Sequence, residues 1–123
     1  MRATIERTAG TLHQTCVIGG WTEPRGSRPF FGGLLLGVYD DDGRLRYIGH
    51  TGAGFTDAQL GRVWKELRQL KTRVCPFSTT PRTGERAHWV KPRLKADVKI
   101  TGWTADGKLR HPTYVRLVNE HAH

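Results

Sequence analysis

The first forty residues contain two stretches in which apolar and polar positions follow the pattern of β-strands. Leu12 to Ile18 alternates loosely and ends at Gly19-Gly20, which predicts one strand. Residues 22–29 have the polar composition of a loop. Gly33 to Tyr39 is a nearly continuous apolar run, and such a run predicts a central strand buried on both faces.

A hairpin is expected directly after that central strand. Asp40-Asp41-Asp42-Gly43 contains an Asp-Gly turn signal. Residues 44–49 then alternate, which places Leu45 and Tyr47 on one face of the next strand and two arginines on the other. We interpret the three aspartates as turn formers rather than metal ligands, because aspartate is common at hairpin tips.

One amphipathic helix is predicted after the hairpin. Thr56 and Gln59 have the spacing of a capping box, in which the two side chains satisfy backbone N–H groups of the first turn. The apolar residues that follow fall on one helical stripe: Leu60, Val63, Trp64, Leu67 and Leu70. This stripe predicts packing against the core, and the opposite, basic face is expected to meet water or phosphate.

The second half of the chain is predicted to return to β-structure after a loop. Residues 72–87 contain prolines, a glycine and several threonines, which indicate a flexible loop. From Trp89 to Trp103 apolar and charged residues alternate, which predicts one long strand with an apolar and a charged face. Asp106-Gly107 marks a hairpin turn, and Thr113 to Val118 is the last predicted strand.

The order strand, strand, strand, helix, strand, strand indicates an all-β protein with one helix. It is the order of a five-stranded OB-fold barrel with the helix between strands 3 and 4, a fold that often binds oligonucleotides. A small SH3-like barrel and an α+β sheet are the competing architectures. The sequence shows no internal repeat and no linker, so residues 1–123 are expected to form one domain.

The charge distribution adds a class of partner to this fold. The chain has a net charge of +9, and residues 59–100 alone hold eleven basic against three acidic side chains. Such a basic band is typical of proteins that bind a polyanion, because each neutralised phosphate releases a counterion. Nucleic acid is the favoured partner, and an anionic membrane surface or a purely solubilising role are the alternatives.

Other features of the composition exclude several classes. No run approaches the roughly 18 consecutive apolar residues of a membrane helix, and the N-terminus lacks the apolar core of a signal peptide. Cys16 and Cys75 lie in different segments, which predicts two reduced thiols, no disulfide and no zinc site. We therefore expect a cytoplasmic monomer without a membrane partner.

Five blocks of the sequence are more specific than its periodicity. They are Val17-Ile18-Gly19-Gly20-Trp21-Thr22-Glu23-Pro24, Gly32 to Asp40, Leu45 to Asp57, His88-Trp89-Val90-Lys91-Pro92 and Trp103 to Tyr114. In this order, across roughly residues 12–117, they closely resemble the C-terminal OB-fold domain of bacterial ATP-dependent DNA ligases of the non-homologous end-joining type.

The resemblance implies a DNA-binding role inside a larger enzyme. In that family the OB domain closes over a nucleotidyltransferase domain during lysine adenylation, then swings round to grip nicked duplex DNA across its minor groove. Arg and Lys contacts to backbone phosphates would give binding by shape with weak sequence specificity. The resemblance also implies a parent ligase that uses ATP and Mg²⁺, a nucleotidyltransferase domain in cis or in trans, and a bacterial, nucleoid-associated location; no cofactor is expected in this chain.

Three departures from the family pattern bear on catalysis. The adenylation motif Lys-x-Asp-Gly is absent, and the nearest string is Lys95-Ala96-Asp97-Val98, so we expect no catalytic residue and no ligation by this chain alone. The lysine-bearing strand that normally precedes the first block would fall near Glu6 to Ala9, where only Arg7 is basic. The closing Arg-x-Asp-Lys motif, which orients the ATP phosphates, aligns with a degenerate Val118-Asn119-Glu120-His121.

His50 stands where relatives often have arginine or lysine, within a Gly-basic-x-Gly-x-Gly block. A histidine there would make a weaker phosphate contact near pH 7, where the imidazole is neutral, and a stronger one in mild acid, where it is protonated. Gly49, Gly52 and Gly54 of this block favour a tight turn between strand and helix, with a phosphate cradle as the alternative.

The DNA-binding surface is expected to consist of basic residues on loops and strands. The candidates are Arg25, Arg28, Arg44, Arg46, His50, Arg82, Arg86, Lys91, Arg93, Lys95 and Arg110. Two further hypotheses stay open: a free-standing, non-catalytic OB module that binds duplex or single-stranded nucleic acid, and an RNA-binding OB domain. The RNA-binding hypothesis requires bases to stack on Trp21, Trp89 or Trp103, whose simpler role is packing.

Overall fold

A computed structural model describes residues 5–8 and 11–118 of the chain. Within these residues the model has one helix, α1 at Asp57–Gln69. The strands are β1 Ile5–Thr8, β2 Thr11–Thr22, β3 Gly33–Tyr39, β4 Leu45–Thr51, β5 Lys71–Thr72, β6 Ala87–Val90, β7 Lys95–Ile100, β8 Gly102–Trp103, β9 Leu109–Arg110 and β10 Thr113–Leu117.

Five strands form one antiparallel path in the order β10-β7-β2-β3-β4, with α1 between β4 and β7 in the chain. Along the chain these five strands occur as three strands, the helix and two strands, which is the order predicted for an OB fold, and the prediction of a mainly β domain with one helix is confirmed. The two ends of the path approach each other beside β10. There the Tyr114 N–H donates to the Ala53 carbonyl at 2.9 Å, and the Thr51 hydroxyl donates to the Pro112 carbonyl at 2.7 Å.

The central strand β3 is buried on both faces, as its apolar run predicts. Leu34 and Leu36 belong to the main core, which lies between the curved sheet and α1. Leu35 points to the other face and joins a second core, formed by Val17, Leu35, Leu45 and Phe77. Each fully buried side chain of this size contributes about 1.5–3 kcal/mol relative to exposure, so both faces of β3 stabilise the domain.

The helix begins at the predicted capping box. The Thr56 hydroxyl accepts from the Gln59 N–H at 3.1 Å, and the Gln59 side chain accepts from the Thr56 N–H at 2.9 Å. Leu60, Val63 and Leu67 are buried in the main core, while Trp64 and Leu70 of the predicted stripe are only partly buried. The helix is therefore held by one apolar face, as expected from its pattern.

The hairpin between β3 and β4 also agrees with its sequence signal. Asp40 Oδ1 accepts from the backbone N–H groups of Asp42 and Arg44 at 2.9 and 3.0 Å, and Gly43 adopts a φ of 80°. The aspartates thus form a turn, and Leu45 and Tyr47 pack on the second core.

The predicted end of the first long strand is wrong. The strand expected to end at Ile18 continues through Gly19 and Gly20 to Thr22. The glycines lie inside β2 because neighbouring groups occupy their Cβ positions: the Phe77 ring for Gly19 and the His88 carbonyl for Gly20. Here glycine permits close packing of a continuous strand and does not end it.

The long strand expected from Trp89 to Trp103 is divided into β6, β7 and β8. Pro92 lacks a backbone donor and restricts the residue before it, so the ladder stops at residues 91–94, where the Arg93 N–H donates to the Lys91 carbonyl at 2.8 Å. Thr101 lies between β7 and β8, and Gly102, the first residue of β8, has a φ of 153°, which favours glycine. The predicted charged face is also wrong at Asp97, which is buried with an exposure of 9%.

The predicted flexible loop at residues 72–87 has a fixed point. Phe77 is buried in the second core, and its backbone forms a parallel bridge with Leu45. Thr72 belongs to the short strand β5, which pairs with β6. The proline and threonine content indicates irregular backbone correctly, but the Phe77 side chain and the backbone bridge beside it attach this segment to the sheet.

Candidate nucleic-acid interface

The eleven basic candidates fall into separate regions of the structure. A groove is lined by Arg25, Arg28, His50 and Arg82. A second region, on and beside β4 and β9, contains Arg44, Arg46 and Arg110. A third, in the turn between β6 and β7 and at the start of β7, contains Lys91, Arg93 and Lys95. Arg86 directly precedes β6, and its carbonyl accepts from the Glu23 N–H at 2.9 Å.

The groove encloses about 420 Å³ where the loop after β2 meets residues 82–85 and the end of β4. Four glycines line it together with the basic residues: Gly32, Gly33, Gly52 and Gly84. The backbones of Gly32 and Gly52 lie so close that a Cβ atom at Gly52 would collide with the Gly32 carbonyl. This close approach allows backbone, rather than side chains, to form part of the groove wall.

Arg28 is held firmly in the groove lining. Its Nη1 donates to the Gly52 carbonyl at 2.7 Å, and its guanidinium lies 5.9 Å from the Phe31 ring centroid and 5.6 Å from that of Phe55. Aromatic faces attract a guanidinium, so the rings and the carbonyl together fix its plane. Its Nε is buried and has no hydrogen-bond partner among the described residues. Because this Nε is closed off from solvent, a ligand in the groove would have to contact the outer nitrogens of the guanidinium.

The two carboxylates of the groove are each paired with a nearby side chain. Glu85 forms a hydrogen-bonded ion pair with Arg25, across the groove from loop to loop. Glu23 lies 2.8 Å from Nε2 of His88, and the imidazole of His88 stacks on Trp21 at 4.2 Å. Glu85 is thus neutralised by Arg25, whereas Arg28 and Arg82 form no ion pair with a carboxylate among the described residues.

His50 lies at the edge of the groove and is exposed. Its Nδ1 lies 3.2 Å from the hydroxyl of Tyr47. Burial raises the pKa of the Tyr47 phenol, which keeps the hydroxyl protonated near neutral pH and able to donate to Nδ1. A neutral His50 with this hydrogen bond would hold its own proton on Nε2.

The glycine block after β4 acts through backbone geometry. Gly49 and Gly54 have φ values of 142° and 97°, which favour glycine, and a Cβ at Gly54 would collide with the Tyr114 carbonyl. The tight-turn interpretation is confirmed for Gly54, which lies between β4 and α1. It is wrong for Gly49, which lies inside β4 where the pairing with β3 shifts register. Gly52 differs from them, because it lines the groove; the phosphate cradle stays a prediction at that position.

The other two regions present their charges away from this groove. Arg46 Nη1 donates to the Gly107 carbonyl at 3.3 Å, which links β4 to the hairpin between β8 and β9. In the third region the Lys91 N–H donates to the Leu70 carbonyl at 2.8 Å and so fixes the turn against the end of α1. In the described part of the chain, four of the eleven candidates line the groove and the other seven do not.

Sequence reasoning missed the polar groove residues Thr22, Glu23, Thr83 and Glu85. No pattern in the sequence signals their role, because Arg25 and Glu85 are separated by 60 residues and meet only through the folding of two irregular loops. A block of family resemblance does include Glu23, but its partner His88 comes from another block.

The three tryptophans proposed as stacking residues are engaged in packing. Trp21 contacts the edge of Trp64 at 4.7 Å in addition to His88, and Trp89 contacts Phe77 at 6.2 Å. Trp103 packs against the main core, where its indole N–H is buried. The packing interpretation is confirmed for all three.

The string nearest to an adenylation motif has a structural role. Asp97 is buried in β7, with Arg116 Nη2 at 3.6 Å and His13 Nδ1 at 3.8 Å. Among the side chains that the structure describes, no three His, Cys, Asp or Glu residues are grouped to hold a metal ion. Residues 119–121 of the degenerate terminal motif lie outside the described residues.

Within the described residues, the helix α1 is not long and apolar enough to cross a membrane.

Comparison with known proteins gives the family. The family model for the C-terminal region of ATP-dependent DNA ligases matches residues 27–120. The chain belongs to this family. Among curated relatives, the multifunctional non-homologous end joining protein LigD of Pseudomonas aeruginosa is 40% identical over 84% of this chain, and that of Mycolicibacterium smegmatis is 36% identical over 82%.

Solved structures agree with this family. The ligase domain of Mycobacterium tuberculosis LigD superposes with a TM-score of 0.80 at 30% identity, over 89% of this chain and 36% of that one. A mycobacterial DNA ligase D complexed with ATP and MES gives a TM-score of 0.74, also at 30% identity, over 89% of this chain and 35% of that one. The chain spans only 13% of the Pseudomonas protein and 14% of the Mycolicibacterium protein. It therefore corresponds to the OB-fold part of a ligase domain.

Proposed function

We propose that this domain grips nicked or intact duplex DNA through backbone phosphates, as the C-terminal part of an ATP-dependent DNA ligase in end joining and DNA repair. The observation that supports this function best is the groove lined by the fixed guanidinium of Arg28 and by Arg82. Arginine forms bidentate contacts with phosphate, and a fixed guanidinium loses little further freedom on binding. The place of action proposed is the bacterial cytoplasm, at the nucleoid.

Binding through phosphates agrees better with these side chains than stacking on single strands. Proteins that bind single strands without sequence preference use exposed aromatic platforms. Trp21, Trp89 and Trp103 are packed against other side chains, so they do not provide such a platform. The positive groups lie on irregular loops and strand ends instead, which suits contact with a backbone of regular charge.

The enzymatic steps of a parent ligase would require a partner. A nucleotidyltransferase domain, in cis or in trans, would supply the adenylated lysine, and ATP and Mg²⁺ would act there. The residues of this chain would position the DNA while that domain performs the chemistry. The alternative is a free-standing module that binds nucleic acid without a catalytic partner.

Fluorescence anisotropy across a salt series tests the DNA-binding function. The ligands are nicked duplex, intact duplex, single-stranded DNA and RNA of equal length. About five neutralised phosphates should give a slope of log affinity against log salt near −4 to −5 on duplex. Preference for single strands would favour the stacking module, and the absence of salt-sensitive binding to all four would overturn the proposal.

A pair of variants assigns the binding to the groove. Arg82→Gln removes a groove cation, and we expect it to reduce the magnitude of the salt slope by about 0.9. Arg68→Gln removes one charge from the last turn of α1, outside the groove, and serves as the matched control. Equal loss in both variants would show a general charge effect and would contradict the groove as the contact surface.

A further inference from the structure

We propose that the groove is a phosphate site whose ligand position is held in the free protein by the carboxylate of Glu85, so that a DNA phosphate binds by displacing Glu85 from Arg25. This inference rests on the proposed DNA-binding function and deepens it. It assigns Glu85 as an internal competitor, a role distinct from that of the surrounding cations.

The first argument is the position of Glu85. Glu85 and Arg25 come from two different loops, and their ion pair closes the distance between the two walls of the groove. A carboxylate presents two acceptor oxygens to the same guanidinium fork that a phosphate would use. Glu85 therefore satisfies Arg25 in the manner of a ligand, from the wall opposite Arg25.

The second argument is that the pair can be opened at small cost. The side chain of Arg25 is 77% exposed and that of Glu85 is 36% exposed. Ion pairs exposed to water contribute little to stability, because solvent screens the charges and the side chains lose freedom on pairing. A phosphate that also reaches other groove cations would compete successfully with a single carboxylate.

The third argument is the asymmetry between the cations of the groove. Arg28 is fixed by the Gly52 carbonyl and two aromatic rings, and no carboxylate among the described residues pairs with it. The side chain of Arg82 has no partner among the described residues. Arg28 and Arg82 can thus meet a phosphate without breaking an ion pair, whereas Arg25 must first separate from Glu85.

The size of the groove limits what enters it. A volume of about 420 Å³ lies within the range of small-ligand sites, roughly 300–1,000 Å³. One phosphate with its sugar fits such a space, while the body of a duplex remains outside. The phosphate could belong to a strand end or to a continuous backbone, and the recognition chemistry is the same in both cases.

The first test compares Glu85→Gln with Glu66→Gln by anisotropy on duplex DNA. Both variants remove one negative charge, but Glu66 lies on α1 outside the groove. We expect Glu85→Gln to bind about three- to fivefold more tightly and Glu66→Gln to change affinity much less. In an Arg25→Gln background the gain from Glu85→Gln should fall to the level of the Glu66→Gln control. Equal gains for both glutamates would overturn the competition while leaving DNA binding intact.

The second test locates the ligand by the amide signals of glycine in a nitrogen–proton correlation spectrum. Gly32, Gly33, Gly52 and Gly84 line the groove, and Gly37 lies inside β3 beneath the Phe77 ring, outside the groove. DNA should shift the four groove signals and leave that of Gly37 in place. Three ligands distinguish the source of the phosphate: linear duplex with 5′-phosphates, the same duplex with 5′-hydroxyls, and a closed dumbbell without ends. Shifts with the first alone assign a terminal phosphate, and shifts with all three assign a backbone phosphate.

Binding of DNA without any shift of the groove glycines would overturn the inference and keep the proposed function. If the wild-type protein binds no DNA, the proposed function fails, and inorganic phosphate then serves as the probe. Shifts of the groove glycines by inorganic phosphate, at lower concentration in Glu85→Gln than in the wild type, would support the phosphate site independently. The absence of such shifts would overturn it.

Discussion

The ring of Phe77 occupies the space that a side chain at Gly19 would need, because its Cζ atom lies 2.5 Å from the ideal Cβ position. Gly37 on the neighbouring strand has the same relationship with this ring, with Cε1 at 2.8 Å. The neighbouring strands β2 and β3 thus each have a glycine beneath the Phe77 ring, which leaves room for it. The segment between β5 and β6 is attached to the sheet at this point, close to the residues that form one wall of the groove.

Replacement of Phe77 by alanine should lower the free energy of unfolding by about 3–5 kcal/mol, since a buried ring is lost and the glycines beneath it cannot fill the cavity. Urea unfolding followed by circular dichroism measures this change. Phe30→Ala is the control, because Phe30 is 41% exposed, and we expect a loss below about 1 kcal/mol there. Similar losses in both variants would contradict the role of Phe77 as the attachment point.

Gly54 has a positive φ and also lies against the backbone of β10, where the two ends of the sheet meet. Gly54→Ala should be more destabilising than Gly43→Ala, although both glycines have positive φ values. Gly43 has open space at its Cβ position, so alanine there suffers only the backbone penalty of about 1–2 kcal/mol. At Gly54 the methyl group would also meet the Tyr114 carbonyl at 2.5 Å, beside the hydrogen bond from Tyr114 to Ala53. Equal unfolding midpoints in urea for the two variants would show that this contact relaxes freely.

The elements predicted correctly from the sequence are those whose signals are local. The capping box at Thr56 and Gln59 and the turn at Gly43 depend on neighbours within four residues, and both occur as predicted. Strand limits required tertiary information. Gly19 and Gly20 look like a strand end in sequence, yet they lie inside β2 because a ring from residue 77 and a carbonyl from residue 88 pack against them.

The candidate site was predictable in composition but not in arrangement. Charge and family resemblance indicated basic residues, and the fold then separated Arg28 and Arg82 in the groove from Arg46 and Lys91 elsewhere. The paired acid Glu85 could not be anticipated, since an acidic residue within a basic segment has the pattern of an ordinary solvated charge. Only the meeting of two loops gives it a partner.

Arginine and lysine should not be equivalent at position 28. Arg28→Lys keeps the charge, yet a compact ammonium cannot both bond the Gly52 carbonyl and present a planar fork beside the aromatic rings. We expect duplex affinity to fall at least about fivefold with the salt slope almost unchanged. Arg82→Lys is the matched control, with affinity within about twofold of the wild type. Wild-type affinity in Arg28→Lys, with an unchanged glycine spectrum, would show that only charge matters there.

The buried thiol of Cys16 should make the free energy of unfolding depend on pH in the alkaline range. Burial, and secondarily the charge of Asp97, raise the pKa of Cys16 from 9.0 to about 12. Below pH 9 the thiol is protonated in both states and has no effect on the pH dependence. Between about pH 9 and 12 the unfolded thiol ionises while the folded one does not, so the free energy of unfolding falls as pH rises, by up to about 1.4 kcal/mol per pH unit.

Urea unfolding at pH 8 and pH 10.5 should therefore separate Cys16→Ala from the wild type. Cys16→Ala loses packing at pH 8, but its further loss at pH 10.5 should be smaller than that of the wild type by roughly 1–2 kcal/mol. Cys75→Ala keeps the buried thiol at position 16 and should follow the wild type. A parallel decline in all three proteins would mean that other groups, such as the Tyr47 phenol, whose pKa burial also raises, determine the alkaline limit.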